Sequence, residues 1–256
     1  MTRILQSRLL LSHGFAHGFS TRMGGVSEAP FDALNLGRNL GDDLAHVETN
    51  HARLAEAIGY DAKRLAEASQ VHGTRCVAVE APLNVLTFRQ QEADAIMATR
   101  PRDAVGIRTA DCTPVLIGCL KTRAVLAIHA GWRGAVDGVI RNAIKAFRTQ
   151  PRGRLVAAVG PHIRAASFEV GEDVAERIDE AARAAGLDAS VIARKDGKRA
   201  HADLTRVVVA QLLQCGVAPE DIDDVGGDTF ADAFLYFSHR RDTSSSGRHL
   251  SVIVCG

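Results

Sequence analysis

The sequence predicts a mixed α/β fold, α+β in how its elements are distributed, within one domain. Three observations carry this. Short apolar runs rich in Val and Ile cluster in the middle third, between Cys76 and Ile128, as strands do. Helix-period apolar stripes follow in the last third and interleave with further strand-like runs. No linker, repeat or low-complexity segment divides the 256 residues, so a single domain over 1–256 is expected. Strands clustered first and mixed with helices later fit this class better than a doubly wound repeat.

The elements follow in order. The N-terminal third opens with short apolar pieces and a glycine turn, Arg22-Met23-Gly24-Gly25, then a loop through Pro30 to Gly41. Asp42 or Asp43 caps a helix reaching about Gly59, with Leu44, Val47, His51, Leu54 and Ile58 on one face. Five strand-like runs come next: Cys76 to Glu80, Ala93 to Ala98, Ala104 to Thr109, Pro114 to Leu120 and Ala124 to Ile128. Their closeness predicts one large sheet. A helix from about Gly134 to Arg148 carries the stripe Val136, Val139, Ile140, Ala143, Ile144 and Phe147. Leu155 to Val159 is a strand, Val174 to Ala185 a helix stopped by Gly186, and Val191 to Ala193 a short strand. Asp203 caps a helix that runs to Cys215 and stops at Gly216. Ser244 to Ser246 form a polar loop before a last strand, Leu250 to Val254.

Composition narrows the function. Lys and Arg number 31 against 30 Asp and Glu, a net charge of +1. A nucleic-acid footprint needs a basic excess, and so does a polybasic membrane anchor. No run approaches about 18 consecutive apolar residues, so no transmembrane helix is expected. Met1 to Leu11 lack an uninterrupted apolar region and a cleavage site, so no signal peptide is read there. Five cysteines without a C-x-x-C pair argue for a reducing, cytoplasmic setting rather than a disulfide framework.

Three segments place polar residues at the ends of apolar strands. In Ser69-Gln70-Val71-His72-Gly73, His72 precedes a glycine; alone it reads first as a loop histidine bonded to a carbonyl. In Arg108-Thr109-Ala110-Asp111-Cys112-Thr113-Pro114, Cys112 sits in a tight connection among polar neighbours, where a thiolate is useful, or where an inert half-buried thiol rests. In Ile128-His129-Ala130-Gly131-Trp132-Arg133-Gly134, a strand ends at His129 and a helix begins after Gly131. Trp132 there is a stacking wall or simply core. Two His and one Cys at strand–loop junctions suit Zn²⁺, whose catalytic sites keep three protein ligands and one open position. The intervals of 39 and 16 residues between them are not zinc-finger spacings. A metal-free Cys112–His129 nucleophile–base pair is the alternative, and a structural zinc in a binding protein the non-enzymatic one. Two further segments offer oxyanion groups: Phe19-Ser20-Thr21-Arg22 with Gly24-Gly25, and Ser238 to Asp242 with Gly247-Arg248.

These segments, with Asn35-Leu36-Gly37, Ala93-Asp94-Ala95, Gly160-Pro161 and Phe168-Glu169-Val170, occur in an order that resembles the laccase-domain family. That family, also called multicopper polyphenol oxidases, is now read as purine nucleoside phosphorylases. The resemblance runs from about Gly14 to Val254. It implies a layered αββα sandwich similar to cytotoxic necrotizing factor deamidases, and a Cys–His–His metal site on His72, Cys112 and His129. It implies phosphorolysis of adenosine, inosine, guanosine and methylthioadenosine, with adenosine deaminase activity. Zn²⁺ is the expected cofactor, with Cu²⁺ possible, and purine nucleosides and phosphate the expected partners. Cys112, Asp111 and His129 are the expected catalytic residues, Asp111 as general acid. Ser20, Arg22, Gln70, Arg133, Arg241 and Arg248 are the expected phosphate and substrate residues, Arg22 first among them for phosphate. Copper-dependent polyphenol oxidation is the older reading. It is physically weak, since multicopper sites need H-x-H pairs and this chain has none. Two departures stand out: His162-Ile163-Arg164 follows Gly160-Pro161 where the family carries Ile-Gly, and Asp228 stands where many members have Cys.

Overall fold

The computed structural model describes residues 2–80, 83–148, 153–194 and 199–256. Its strands are β1 (Ile4–Leu5), β2 (His17–Ser20), β3 (Leu65–Ala66), β4 (Cys76–Ala78), β5 (Ala95–Ala98), β6 (Ala104–Thr109) and β7 (Thr113–Cys119). They continue as β8 (Val125–Ala130), β9 (Leu155–Val159), β10 (Glu169–Val170), β11 (Ile192–Ala193), β12 (Ala200–Ala202), β13 (Ile222–Asp224) and β14 (His249–Val254). The helices are α1 (Arg8–Ser12), α2 (Leu44–Ile58), α3 (Val85–Phe88), α4 (Trp132–Asp137), α5 (Val139–Phe147), α6 (Glu172–Ala184), α7 (Leu204–Gln214) and α8 (His239–Asp242).

Two sheets form the middle of the molecule. One has the order β1-β2-β14-β6-β3 and the other β13-β9-β7-β8-β5-β4. The small β10-β12-β11 sheet stands apart from both. Side chains that alternate along each strand divide the core between layers. Leu116, Ala127, Val156 and Ala158 of the six-stranded sheet face Val105, Ile107 and Ile253 of the other. Val115, Ile117, Leu126, Ile128 and Ala157 turn the opposite way, onto Val139, Ile140, Ile144, Ile178 and Val207 of the helices. Leu250 and Val252 of β14 turn outward onto Leu54 and Ile58 of α2. Helix, sheet, sheet and helices therefore stack in four layers, the mixed α/β arrangement expected.

Local chemistry explains several boundaries. The Asp43 carboxylate accepts the Ala45 amide at 2.7 Å to start α2, and Gly59 at φ +88° ends it. Asp203 caps α7 through the Arg206 amide at 3.1 Å.

Two expectations are corrected. The five middle runs do not make one sheet: β6 pairs with β14 and β3, while β4, β5, β7 and β8 join the other. Asp111, at φ +89°, turns the chain from one sheet into its neighbour. The helix expected from Gly134 to Arg148 begins earlier, at Trp132, and breaks at Gly138, whose φ of +93° no regular helix holds. Among the described residues, no helix is long and apolar enough to cross a membrane.

Candidate metal centre and active-site cleft

Three chain segments converge at one end of the six-stranded sheet. Cys112 lies in the β6–β7 connection, directly after Asp111. The left-handed Asp111 is held from both carboxylate oxygens: the Thr229 hydroxyl donates to one at 2.7 Å and the Arg240 amide to the other at 2.6 Å. His129 is the next-to-last residue of β8, and its amide donates to the Asp94 carbonyl at 2.7 Å. His72 sits in a loop at φ +58°. Gly131 lies between them because nothing larger fits: a Cβ there would come 2.7 Å from the His72 ring and 3.0 Å from the Cys112 sulfur.

Asp94 organises the centre. Its carboxylate is fully buried and accepts four donors. The amides of His72 (2.9 Å), Gly73 (2.7 Å) and Val71 (3.2 Å) fix the His72 loop on it. His129 Nδ1 donates to it at 2.7 Å, so Nε2 is left as the free ring nitrogen. The two imidazoles meet edge to face at 4.8 Å between centroids, and Cys112 Sγ lies 3.7 Å from His72 Nε2. The ligand atoms of His72, Cys112 and His129 all fall within 4.8 Å of one another.

Charge follows geometry. Burial pushes the Cys112 thiol up, but the His129 and His72 imidazoles outweigh it and bring the thiol well below its usual range. Burial pushes His129 down, but the Cys112 thiolate and Asp94 outweigh it and raise the imidazole. A thiolate and two imidazoles with one carboxylate behind them form a donor set that fits a zinc-type ion. His72 is exposed, Cys112 half-buried and His129 buried, so the group opens on one side.

That side is a cleft of about 610 Å³. Gln70, His72, Cys112, His129 and Arg248 line it, and thus five expected site residues come together. Gln70 is locked against the Arg108 backbone, accepting its amide at 2.7 Å and donating to its carbonyl at 2.6 Å. The other expected residues are not among the lining. The Ser20 hydroxyl is buried and accepts the Leu250 amide. Arg22 reaches the carbonyls of Asp32 at 2.7 Å and Ala233 at 3.0 Å and lies over the Phe237 ring. Arg241 reaches the carbonyls of Thr229, Phe230 and Tyr236 and pairs with Asp242. Both are clamps on backbone. Arg133 is exposed and lies over Trp132, which is half-buried against the helical core. His162 is buried between the Gly160 carbonyl and the Thr205 hydroxyl, away from the cleft. Asp228 accepts the Ser167 hydroxyl and the Phe230 amide.

The cleft also contains residues that sequence reasoning missed. Arg38, Arg89, Arg108 and His239 line it, and buried Glu67 stands behind the three arginines. Two signals were available. Glu67 interrupts the apolar run Leu65-Ala66-Glu67-Ala68, and Asp94 stands between two alanines at a strand start. A lone acid in an apolar run is buried with a partner or not buried at all.

Fold and site define a mixed α/β protein with a His–Cys–His candidate metal site opening into a basic cleft. Residues 16–256 match the family described as multi-copper polyphenol oxidoreductase laccase, and the chain belongs to that family. It is 35% identical over 255 residues to the purine nucleoside phosphorylase YfiH of Escherichia coli, covering 99% of each. It is 38% identical over 240 residues to a purine nucleoside phosphorylase of Deinococcus radiodurans, covering 93% of this chain and 88% of that one. Among solved structures, YlmD from Geobacillus stearothermophilus superposes with a TM-score of 0.85 at 26% identity, covering 97% of this chain and 94% of that one.

Proposed function

We propose that the whole chain, as one domain, is a zinc-dependent purine nucleoside phosphorylase. In this reading it acts in the cytoplasm on adenosine, inosine, guanosine and methylthioadenosine, and also deaminates adenosine. The observation that carries it is the convergence of His72, Cys112 and His129 on a basic cleft, in a chain whose relatives over nearly all its length bear that name.

Phosphorolysis joins a phosphate oxygen to C1′ of the ribose as the C1′–N9 bond breaks, and the electron pair leaves with the purine. The site must therefore hold an oxyanion beside the sugar and meet negative charge developing on the base. His72, Cys112 and His129 would hold the zinc, with Asp94 fixing the ring of His129. A bound zinc supplies a Lewis acid and, for deamination, a more acidic water. Gln70, immobilised on the Arg108 backbone, shapes the wall beside His72. His239 donates its Nδ1 proton to the Thr243 carbonyl at 2.9 Å, which leaves Nε2 for the nucleobase. In this reading Asp111 positions rather than transfers protons, since its carboxylate ties the 229 and 240 segments beside Cys112.

Elemental analysis and nucleoside turnover, with and without phosphate, on wild type and Cys112→Ala test it. About one zinc per chain, phosphate-dependent release of free base, and loss of both in the variant are expected. A metal-free wild type that cleaves no nucleoside overturns the reading. Phosphate-independent, copper-dependent oxidation of phenols would do the same.

A further inference from the structure

The wall of the cleft facing the metal ligands has a construction of its own. Three guanidiniums converge on the single carboxylate of Glu67, which is 1% exposed. Arg108 reaches it at 2.6 Å, Arg38 at 2.7 Å and Arg89 at 3.4 Å. Arg38 also meets Glu48, an exposed carboxylate, at 2.8 Å. Among the described residues, the Arg248 guanidinium, in the same cleft, hydrogen-bonds only the carbonyls of Ser246 and Gly247. Guanidinium groups stay charged at any working pH. Around Glu67 three guanidiniums meet the two carboxylates of Glu67 and Glu48, one positive charge in excess, while Arg248 faces the charges of Cys112 and Asp111.

Burying like charges together is costly unless an anion joins them. Arg89 is the least satisfied of the three. Its contact to Glu67 is the longest of the three, and its Nε is buried without a hydrogen-bond partner among the described residues. Glu67 is then a holder: it gathers the arginines, fixes their forks and cancels only part of their charge. Doubly charged phosphate is the oxyanion that suits several guanidinium forks at once.

We infer that Arg38, Arg89 and Arg108, gathered on buried Glu67, form with Arg248 the subsite that takes inorganic phosphate. This deepens the phosphorylase reading and rests on it for the choice of inorganic phosphate. It also moves the phosphate from the Arg22 and Arg241 segments, whose guanidiniums clamp backbone, to arginines that face the metal ligands across the cleft.

The test is calorimetric titration of the zinc-loaded full chain with inorganic phosphate, for wild type, Arg89→Gln and Arg38→Gln, beside steady-state kinetics. Loss of one charge-assisted contact is expected to raise the Kd for phosphate about tenfold or more. The KM for phosphate rises with it, and the KM for nucleoside stays near wild type. Arg89→Lys, which keeps charge but not the fork, recovers part of the loss. If Arg89→Gln fails to fold, Arg38→Gln gives the same readout. Unchanged phosphate affinity in folded Arg89→Gln and Arg38→Gln overturns the inference. So does a wild type that binds a nucleoside 5′-monophosphate through these arginines but not inorganic phosphate. Phosphate binding through them without nucleoside cleavage upholds the subsite and sinks the phosphorylase reading. Nucleoside cleavage with a phosphate KM indifferent to both variants does the reverse.

Discussion

The two walls of the cleft are each built on one buried carboxylate, and they use it in opposite ways. Asp94 accepts three backbone amides and one imidazole, all of them short and rigidly placed donors. Its charge is matched by dipoles and by His129, and the result is a fixed ligand direction. Glu67 accepts three long guanidiniums and is outnumbered by them. Its charge is swamped, and the result is a local excess of positive charge. A buried acid surrounded by amides sets geometry, whereas one surrounded by arginines sets potential.

The largest effect should come from removing the outnumbered acid. Glu67→Gln leaves three half-buried guanidiniums without their common partner. Breaking a buried ion pair from one side costs about 3–5 kcal/mol, and urea unfolding should show a loss of that order. Zinc stoichiometry should stay at the wild-type value, because no metal ligand touches Glu67. Loss of zinc in a folded Glu67→Gln protein would show that the walls are coupled and break the comparison.

Acid should weaken the arginine wall. His51, packed near Glu67, is pushed down to about 4, first by burial and then by Arg38, against the pull of Glu67 and Glu48. It is neutral when folded. Its contribution is therefore complete above its unfolded value of 6.5 and is lost as pH falls from there towards about 4. A shift of that size corresponds to about 3 kcal/mol at most. His162 is lowered similarly by burial and Arg164, so it adds to the same acid slope. His129, raised by Cys112 and Asp94, has the opposite sign. Unfolding free energies measured from pH 7 to 4.5 should fall for wild type and fall less for His51→Gln. Equal slopes for the two proteins would remove His51 from the account.

The sequence shows the metal wall more clearly than the arginine wall, and the reason is local. His129 stands at a strand end, His72 beside a glycine and Cys112 in a tight turn among polar neighbours, so the chain around them announces a site. Helices α2 and α7 were legible for the same reason, through Asp43 with Gly59 and Asp203 with Gly216. Arg38, Arg89 and Arg108 come from a loop, a helix end and a strand, and only the fold brings them to Glu67. Arg22 and Arg241 looked like anion ligands because arginines near glycines or in pairs often are. Nothing local tells that the donors of Arg22 are taken by the carbonyls of Asp32 and distant Ala233, or those of Arg241 by the carbonyls of Thr229, Phe230 and Tyr236. The split of the middle strands was hidden likewise: β6 finds its partner in β14, at the far end of the chain.

The smallest of these effects tests the amide-bound acid. In Asp94→Asn one carboxylate oxygen becomes an NH₂ group. Oδ2 accepts the Val71 and Gly73 amides, while Oδ1 accepts the His72 amide and His129 Nδ1. Either way the new NH₂ faces donors, so one pair of hydrogen bonds is lost while the other persists. If the His129 side is lost, the ring is free to turn and its Nε2 becomes a weaker base. If the loop side is lost, the Val71 and Gly73 amides are freed and the turn that presents His72 keeps only the His72 amide bond. The first outcome also releases the His72 amide and so loosens two ligands, the second loosens the His72 loop alone, and Cys112 is spared in either. Losing the residue that orients a ligand costs about 10–100-fold in metal affinity, and competition against a chelator should read a fall in that range. Phosphate titration should be unchanged, since Asp94 touches no arginine of the opposite wall. Wild-type zinc affinity in Asp94→Asn would mean that the packing of Gly131 against His72 and Cys112 holds the ligands without it.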